Sequence, residues 1–189
     1  NMVFIKDFLA RHSPDAFRLM TLMHQYRSPL NYAEELARQA ETAWGSLAAF
    51  LGKLSFGERA IAPAAEPVAR AAATVEKKCA AALGDDFNTP KAIAALFEYM
   101  NACEPRVWTY SAADARTIAN ALRRPLEALG FSLKPARIPF FARALGAARD
   151  IARRRGFFSV SDALRSFLER SGYAVEDTPL GQWLWRKRR

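Results

Sequence analysis

Histidine and cysteine are scarce in this sequence, with two of each in 189 residues. Cys79 and Cys103 are too few for a disulfide framework and too far apart for a CxxC metal knuckle. They read as reduced thiols packed like small hydrophobes, as in a cytoplasmic protein. Glycine (9) and proline (10) are too few, and the hydrophobic share of 51% too high, for a disordered or collagen-like chain. No run of eighteen apolar residues escapes a charge, which excludes a spanning helix and makes a membrane partner unexpected. The opening Asn1–Asp7 segment lacks the regions of a signal peptide. Also missing are a Gly-rich phosphate loop, an HExxH pair and a GxSxG elbow. His12 and His24 lie in or near apolar helices and read as structural. The acid pairs Glu34-Glu35 and Asp85-Asp86 sit at helix starts, where negative charge suits the dipole. No catalytic residue is assigned.

Basic charge is what the chain has in excess, and it is uneven. The net charge is +9, yet Arg137–Arg189 holds twelve basic and five acidic side chains, against sixteen and fourteen in residues 1–136. A basic last quarter on a nearly neutral body points to a polyanion met at one end. A charge serving only solubility would be spread evenly.

Helical spacing dominates residues 14–130. Ser13-Pro14-Asp15 is a strong helix start, with a capping hydroxyl, a proline at the first position and an acid in the first turn. Asn31-Tyr32-Ala33-Glu34 reads as an Asn cap with an acid three residues on. Leu36, Ala40, Trp44, Leu47 and Leu51 then mark one face of a long helix. Gly57 to Pro67 reads as a loop. Val68, Ala72, Val75, Cys79 and Leu83 resume the helical step as far as Gly84. Asn88-Thr89-Pro90 starts another helix, striped by Ile93, Leu96, Phe97 and Met100. Ser111-Ala112-Ala113-Asp114 caps a last one, closed by Gly130, in which Pro125 predicts a kink or break near Arg124. Pro135 and Pro139 punctuate a boundary. Beyond it come helices over Phe140–Arg155 and Ser161–Arg170, stopped by Gly156 and Gly172. Two short β-type runs, Tyr173–Val175 and Gln182–Trp185, flank a Pro/Gly turn and read as a small hairpin. The closing Arg186-Lys187-Arg188-Arg189 reads as a partly disordered tail. The expected fold is mainly α, an antiparallel helix bundle followed by a small α/β subdomain with a short hairpin.

Three motifs carry a resemblance that covers nearly the whole chain in order. Ser13-Pro14-Asp15-Ala16-Phe17-Arg18 with His24-Gln25-Tyr26-Arg27-Ser28-Pro29-Leu30-Asn31-Tyr32 is the first. Asp85-Asp86-Phe87-Asn88-Thr89-Pro90 is the second. The third runs Gly172 to Asp177, then Pro179, Gly181, Trp185 and Arg186. Together they closely resemble the C-terminal portion of the cysteinyl-tRNA synthetase family, class I enzymes that join cysteine to its tRNA using ATP. Asn1 resembles the Asn closing that family's ATP-signature loop, so the resemblance puts this segment just after the catalytic domain. It implies stem-contact-like helices over residues 1–30, a helix bundle over 31–134 and a small basic anticodon-binding domain over 135–189. The implied partners are the cysteine-specific tRNA and the catalytic domain of the same synthetase. ATP and zinc belong to the full-length family enzyme. Cys79, Cys103, His12 and His24 do not match its zinc ligands, so this segment is expected to bind no cofactor and to be inactive alone.

The resemblance also names site residues. The family's anticodon readers fall here on Arg153, Phe158 five residues later, Asp162 four further on and Asp177 in the C-terminal turn, with Trp185 and Arg186 behind them. Their types suit the task. Unstacked bases are read along their Watson–Crick edges and held on aromatic or Arg planes. A carboxylate accepts from guanine or cytosine donors, and an Arg suits acceptors or phosphate. Each also has a plain structural reading: Arg153 in a solvated Arg153-Arg154-Arg155 run, Asp162 as a helix-start acid, Asp177 as a turn former, Phe158 as core. The sequence departs from the family where Phe158 replaces the commoner Trp. It also places three residues, Gln182-Trp183-Leu184, where the family usually has two before the terminal aromatic. Trp183 or Trp185 can fill that place, and Arg186 favours Trp185. Arg137–Arg149 matches only loosely. Two alternatives stand beside this reading: an independent RNA-binding module from a split gene, and the related cysteine ligase of mycothiol synthesis. The latter needs no anticodon domain.

Overall fold

The computed structural model describes residues 4–133 and 137–186. The chain divides into two compact units, residues 1–133 and 134–189. Asn1, Pro135 and Lys187–Arg189, on which sequence expectations fell, lie outside the described residues.

The first unit holds α1 (Ile5–Leu9), α2 (Pro14–Leu22), α3 (Glu34–Leu54), α4 (Glu66–Gly84), α5 (Thr89–Cys103) and α6 (Ala112–Ala128). Ser13 starts α2, its Oγ accepting the Ala16 N–H at 3.1 Å. Asn88 does the same for α5, accepting from the Lys91 N–H at 3.2 Å. At α6 the Ser111–Asp114 pair closes a full capping box. The Asp114 carboxylate also accepts the Ala65 N–H at 2.8 Å, so the start of α6 holds the entry to α4.

Two expectations change. Asn31 does not cap α3, which begins at Glu34 behind Ala33 without a side-chain cap. The Glu34 carboxylate is occupied elsewhere, receiving Tyr32 Oη at 2.7 Å and Arg11 Nη1 at 2.8 Å, with His12 Nε2 at 2.9 Å. Pro125 does not break α6, which continues to Ala128. The proline removes one donor near the helix end, and the buried Leu126 beside it keeps that last turn on the core.

The core of this unit is continuous. α3 buries Ala40, Trp44, Leu47 and Leu51 on the face its spacing marks, with Phe50 beside them, against α2, α5 and α6. α4 packs on α5 and α6 through Ala72, Val75 and Cys79. Both cysteines are free and buried. The loop before α4 is stitched down by Arg59, whose guanidinium donates to the Lys53, Val107 and Tyr110 carbonyls at 2.7–3.1 Å.

The second unit is α7 (Phe140–Arg154), α8 (Phe158–Arg170) and a hairpin of β1 (Tyr173–Thr178) with β2 (Gly181–Arg186). Gly156 (φ 80°) and Gly172 (φ 86°) take the left-handed turns that end the two helices. The strands pair antiparallel, from Tyr173 opposite Arg186 to Thr178 opposite Gly181. Tyr173 and Val175 face the helices and meet Ala142 and Leu168, with Ile138, Leu145 and Leu184 around them. Among the described residues no helix is long and apolar enough to cross a membrane.

Candidate nucleic-acid interface

The hairpin runs longer than its sequence suggests, and this decides what Asp177 does. Glu176, Asp177 and Thr178 belong to β1 and leave only Pro179-Leu180 as the turn. Thr178 shapes that turn, its Oγ1 donating to the Gly181 carbonyl at 2.6 Å and accepting the Leu180 N–H at 3.2 Å. Asp177 is instead a strand residue opposite Gln182. Residues paired across a strand share a face. Asp177 and Gln182 therefore share the face of Val175 and Leu184, which points at α7 and α8.

Arg149 of α7 meets them there. Its side chain is fully buried, with 0% exposure. Nη1 donates to Asp177 Oδ1 at 2.7 Å and Nη2 to Oδ2 at 2.8 Å, a two-pronged ion pair. Nη1 also reaches Gln182 Oε1 at 2.7 Å, and Gln182 Nε2 donates to the Gly146 carbonyl at 2.9 Å. One turn on, Arg153 Nε lies 3.4 Å from Asp177 Oδ2. Arg149 holds the Asp177 carboxyl below the usual carboxylate range, with Arg153 and Arg165 acting in the same direction. The Arg149 guanidinium is in turn held charged by Asp177, helped by Asp150 and Asp162.

The six residues named from sequence are only partly brought together. Arg153 and Asp177 are in contact. Asp162 is exposed on the first turns of α8 and joins them through its field on Arg149. Phe158 is not core. It is 60% exposed at the start of α8, one turn ahead of Asp162 on the same helical face. Trp185 falls on the opposite face of the hairpin from Asp177, stacked on the buried Trp183 with ring centres 3.9 Å apart. Arg186 shares the Asp177 face but sits at the far end of the ladder, opposite Tyr173.

Sequence reasoning missed Gly146, Arg149 and Gln182. The signal was present: a mid-helix glycine marks a close approach, and Gly146, Arg149 and Arg153 recur at steps of three and four. A Cβ on Gly146 would lie 3.0 Å from Gln182 Nε2 and 3.4 Å from Leu184 Cδ2, so a larger residue here would press on the side chains of β2.

The first unit also joins two motifs distant in sequence. Tyr26 Oη donates to Asp86 Oδ1 at 2.9 Å, and Arg27 Nη2 reaches the same oxygen at 2.9 Å. Tyr26 and Asp86 border a mostly apolar cavity of about 570 Å³ that also touches Leu22, Leu83, Phe87 and Leu129. Asp86 and Phe87 hold positive φ of 51° and 53°, a costly backbone for non-glycine residues. Among the described residues no three His, Cys, Asp or Glu side chains converge as metal ligands.

Residues 78–134 match the DALR domain family. The whole chain is similar to cysteine–tRNA ligases: 30% identical to that of Rubrobacter xylanophilus over 99% of this chain and 42% of the relative. For the ligase of Shewanella sp. strain MR-7 the figures are 33%, 100% and 41%. For that of Archaeoglobus fulgidus they are 30%, 98% and 41%. The chain thus spans about two fifths of the length of these curated relatives, and it resembles their C-terminal portion.

Proposed function

We propose that this chain is the tRNA-binding part of a cysteine–tRNA ligase, with the first unit serving the stem and inner corner and the second reading the anticodon. In this reading cysteine activation with ATP, and the zinc of the full-length enzyme, belong to the catalytic domain, and the segment alone is inactive. The observation that carries the reading is the Asp177 carboxylate. It is oriented, charged, 37% exposed and flanked by arginines, in the basic unit of a chain that matches tRNA ligases along its length.

The chemistry fits a splayed nucleotide. A carboxylate has about four lone-pair positions, and the Arg149 fork takes two. The others can accept the N–H groups of a guanine or cytosine edge. Arg153 keeps its outer guanidinium nitrogens for an acceptor or phosphate, Asp162 offers a second carboxylate, and exposed Phe158 offers a ring for stacking. Lys and Arg contacts to phosphate supply most of the affinity. Trp185, on the other face of the hairpin, and Arg186, at its far end, serve as backbone contacts away from these groups.

Filter binding of cysteine tRNA and of a transcript with altered anticodon tests the reading. Asp177→Ala and Asp162→Ala should each cost about 1–3 kcal/mol for the cognate tRNA alone. Equal weakening of both RNAs defeats base reading.

A further inference from the structure

We infer that Arg149 is the positioning residue of the anticodon surface: buried in α7, it aims the Asp177 carboxylate and, through it, the Arg153 guanidinium. The inference rests on the anticodon reading above and concerns a residue that touches no RNA.

Geometry gives Arg149 little other purpose. A buried ion pair is a poor device for stability, because desolvation of both charges offsets most of their attraction. Here the arginine is fully buried, and its Nε finds no hydrogen-bond partner among the described residues. An apolar side chain of similar volume would fill the same space without that penalty. What an apolar residue cannot do is fix a carboxylate. Two parallel N–H···O bonds set the plane of the Asp177 carboxyl group as well as its place. Gln182 holds the fork from β2 and is itself tied to the Gly146 carbonyl of α7. The hairpin end that carries Asp177 is thereby locked to the helix that carries Arg153.

The consequence is an ordered pair at the surface. With the fork occupying the inner side of the carboxylate, the free lone pairs are on the outer side. Arg153 Nε lies 3.4 Å from Oδ2, on a side chain that is 46% exposed. An acceptor and a donor then stand side by side, preset before RNA arrives. Preset groups recognise a base edge more selectively than mobile ones, because less order must be created on binding.

A double-mutant cycle on the full chain tests this. The quantity measured is the Kd of an anticodon-altered transcript divided by that of the cysteine tRNA transcript. Arg149→Lys keeps the charge but loses the fork, and should lower this ratio about tenfold, as should Asp177→Asn. Arg149→Lys with Asp177→Asn together should do no more than Asp177→Asn alone, and the salt dependence of binding should not change. A ratio untouched by Asp177→Asn overturns the base-reading role itself. A ratio lowered by Asp177→Asn but kept by Arg149→Lys, or two losses that multiply, overturns positioning and leaves base reading standing. Should Arg149→Lys fail to fold, Gln182→Leu replaces it in the cycle with the same outcomes. Nitrogen-15 side-chain NMR of the free protein is independent of RNA. Hindered rotation should give Arg149 separate Nη signals that merge in Asp177→Asn, and a single averaged signal in the native protein overturns the clamp.

Discussion

Asp15 Oδ1 accepts the backbone N–H of Ser132, 117 residues further along the chain, at 3.0 Å. The same oxygen receives Arg18 Nη1 at 3.0 Å, and the carboxylate is almost wholly buried. An acid that looks like a first-turn dipole residue is therefore a latch between the start of α2 and the segment leaving α6. Asp15→Ala should lower the stability of the first unit by about 1–3 kcal/mol, the cost of unmaking a bond to a charged acceptor. Asp15→Asn, which keeps an acceptor, should lose less. Urea unfolding followed by circular dichroism measures both.

The latch delivers Phe131 onto Trp44. Their rings stack with centres 4.9 Å apart and planes 20° apart, and Trp44 has no exposed surface. Removing so large a buried side chain leaves a cavity that the surrounding helices only partly close. Trp44→Ala should cost about 3–5 kcal/mol, and Trp44→Phe clearly less. Thermal unfolding of the two variants should separate them in that order.

Glu34 gives a pH prediction. Its carboxyl is lowered from its ordinary value to about 2, first by the Tyr32 hydroxyl and then by His12, with Arg11 adding to both. A depressed acid stabilises the folded chain above its unfolded pKa and loses that contribution as pH falls through the folded one. The α1–α3 junction should thus weaken between about pH 4.5 and about pH 2. Carbon-13 NMR titration should place Glu34 near 2, and Tyr32→Phe should raise it.

The helices were legible because apolar residues recur at helical spacing and Ser13, Asn88 and Ser111 sit where caps are needed. The same local logic misassigned Asn31, since Glu34 is claimed by Arg11, His12 and Tyr32, and three-dimensional neighbours leave no mark on a capping pattern. It also placed Asp177 in a turn, because Asp-Thr-Pro is turn-like in sequence. Only strand pairing with Gln182 shows that the turn begins after Thr178. The helical spacing of Gly146, Arg149 and Arg153 could mark a shared face, but not what Arg149 does there. A buried arginine in an Arg-rich stretch looks like any solvated one until its acid, from another element, is in place.

Acid should unsettle the second unit through Asp177. Hydrogen bonding from Arg149 lowers its pKa, so its contribution is complete above the unfolded value of about 3.9 and is lost as pH falls through the lower folded value. Helical circular dichroism recorded from about pH 5 downward should show a loss that is smaller in Asp177→Asn, the share from Glu34 remaining. That variant should already be less stable at neutral pH, because Arg149 then lies buried opposite a neutral group.

Phe158 offers a gain rather than a loss. Its ring is 60% exposed at the start of α8, three residues after the Arg153–Arg155 run. Nothing in the second unit's core depends on it, so substitutions there should leave stability almost unchanged. A base stacked on an aromatic ring contributes about 1–3 kcal/mol, and a larger ring covers more of the base. If Phe158 stacks an anticodon base, Phe158→Ala should weaken cysteine tRNA binding by about tenfold. Phe158→Trp should tighten it by roughly threefold on the same stacking scale. A ring that merely rests in solvent would leave both affinities where they began. Fluorescence titration of the Phe158→Trp variant with the anticodon stem-loop distinguishes the two, since quenching beyond that of the native protein with its four tryptophans would report stacking.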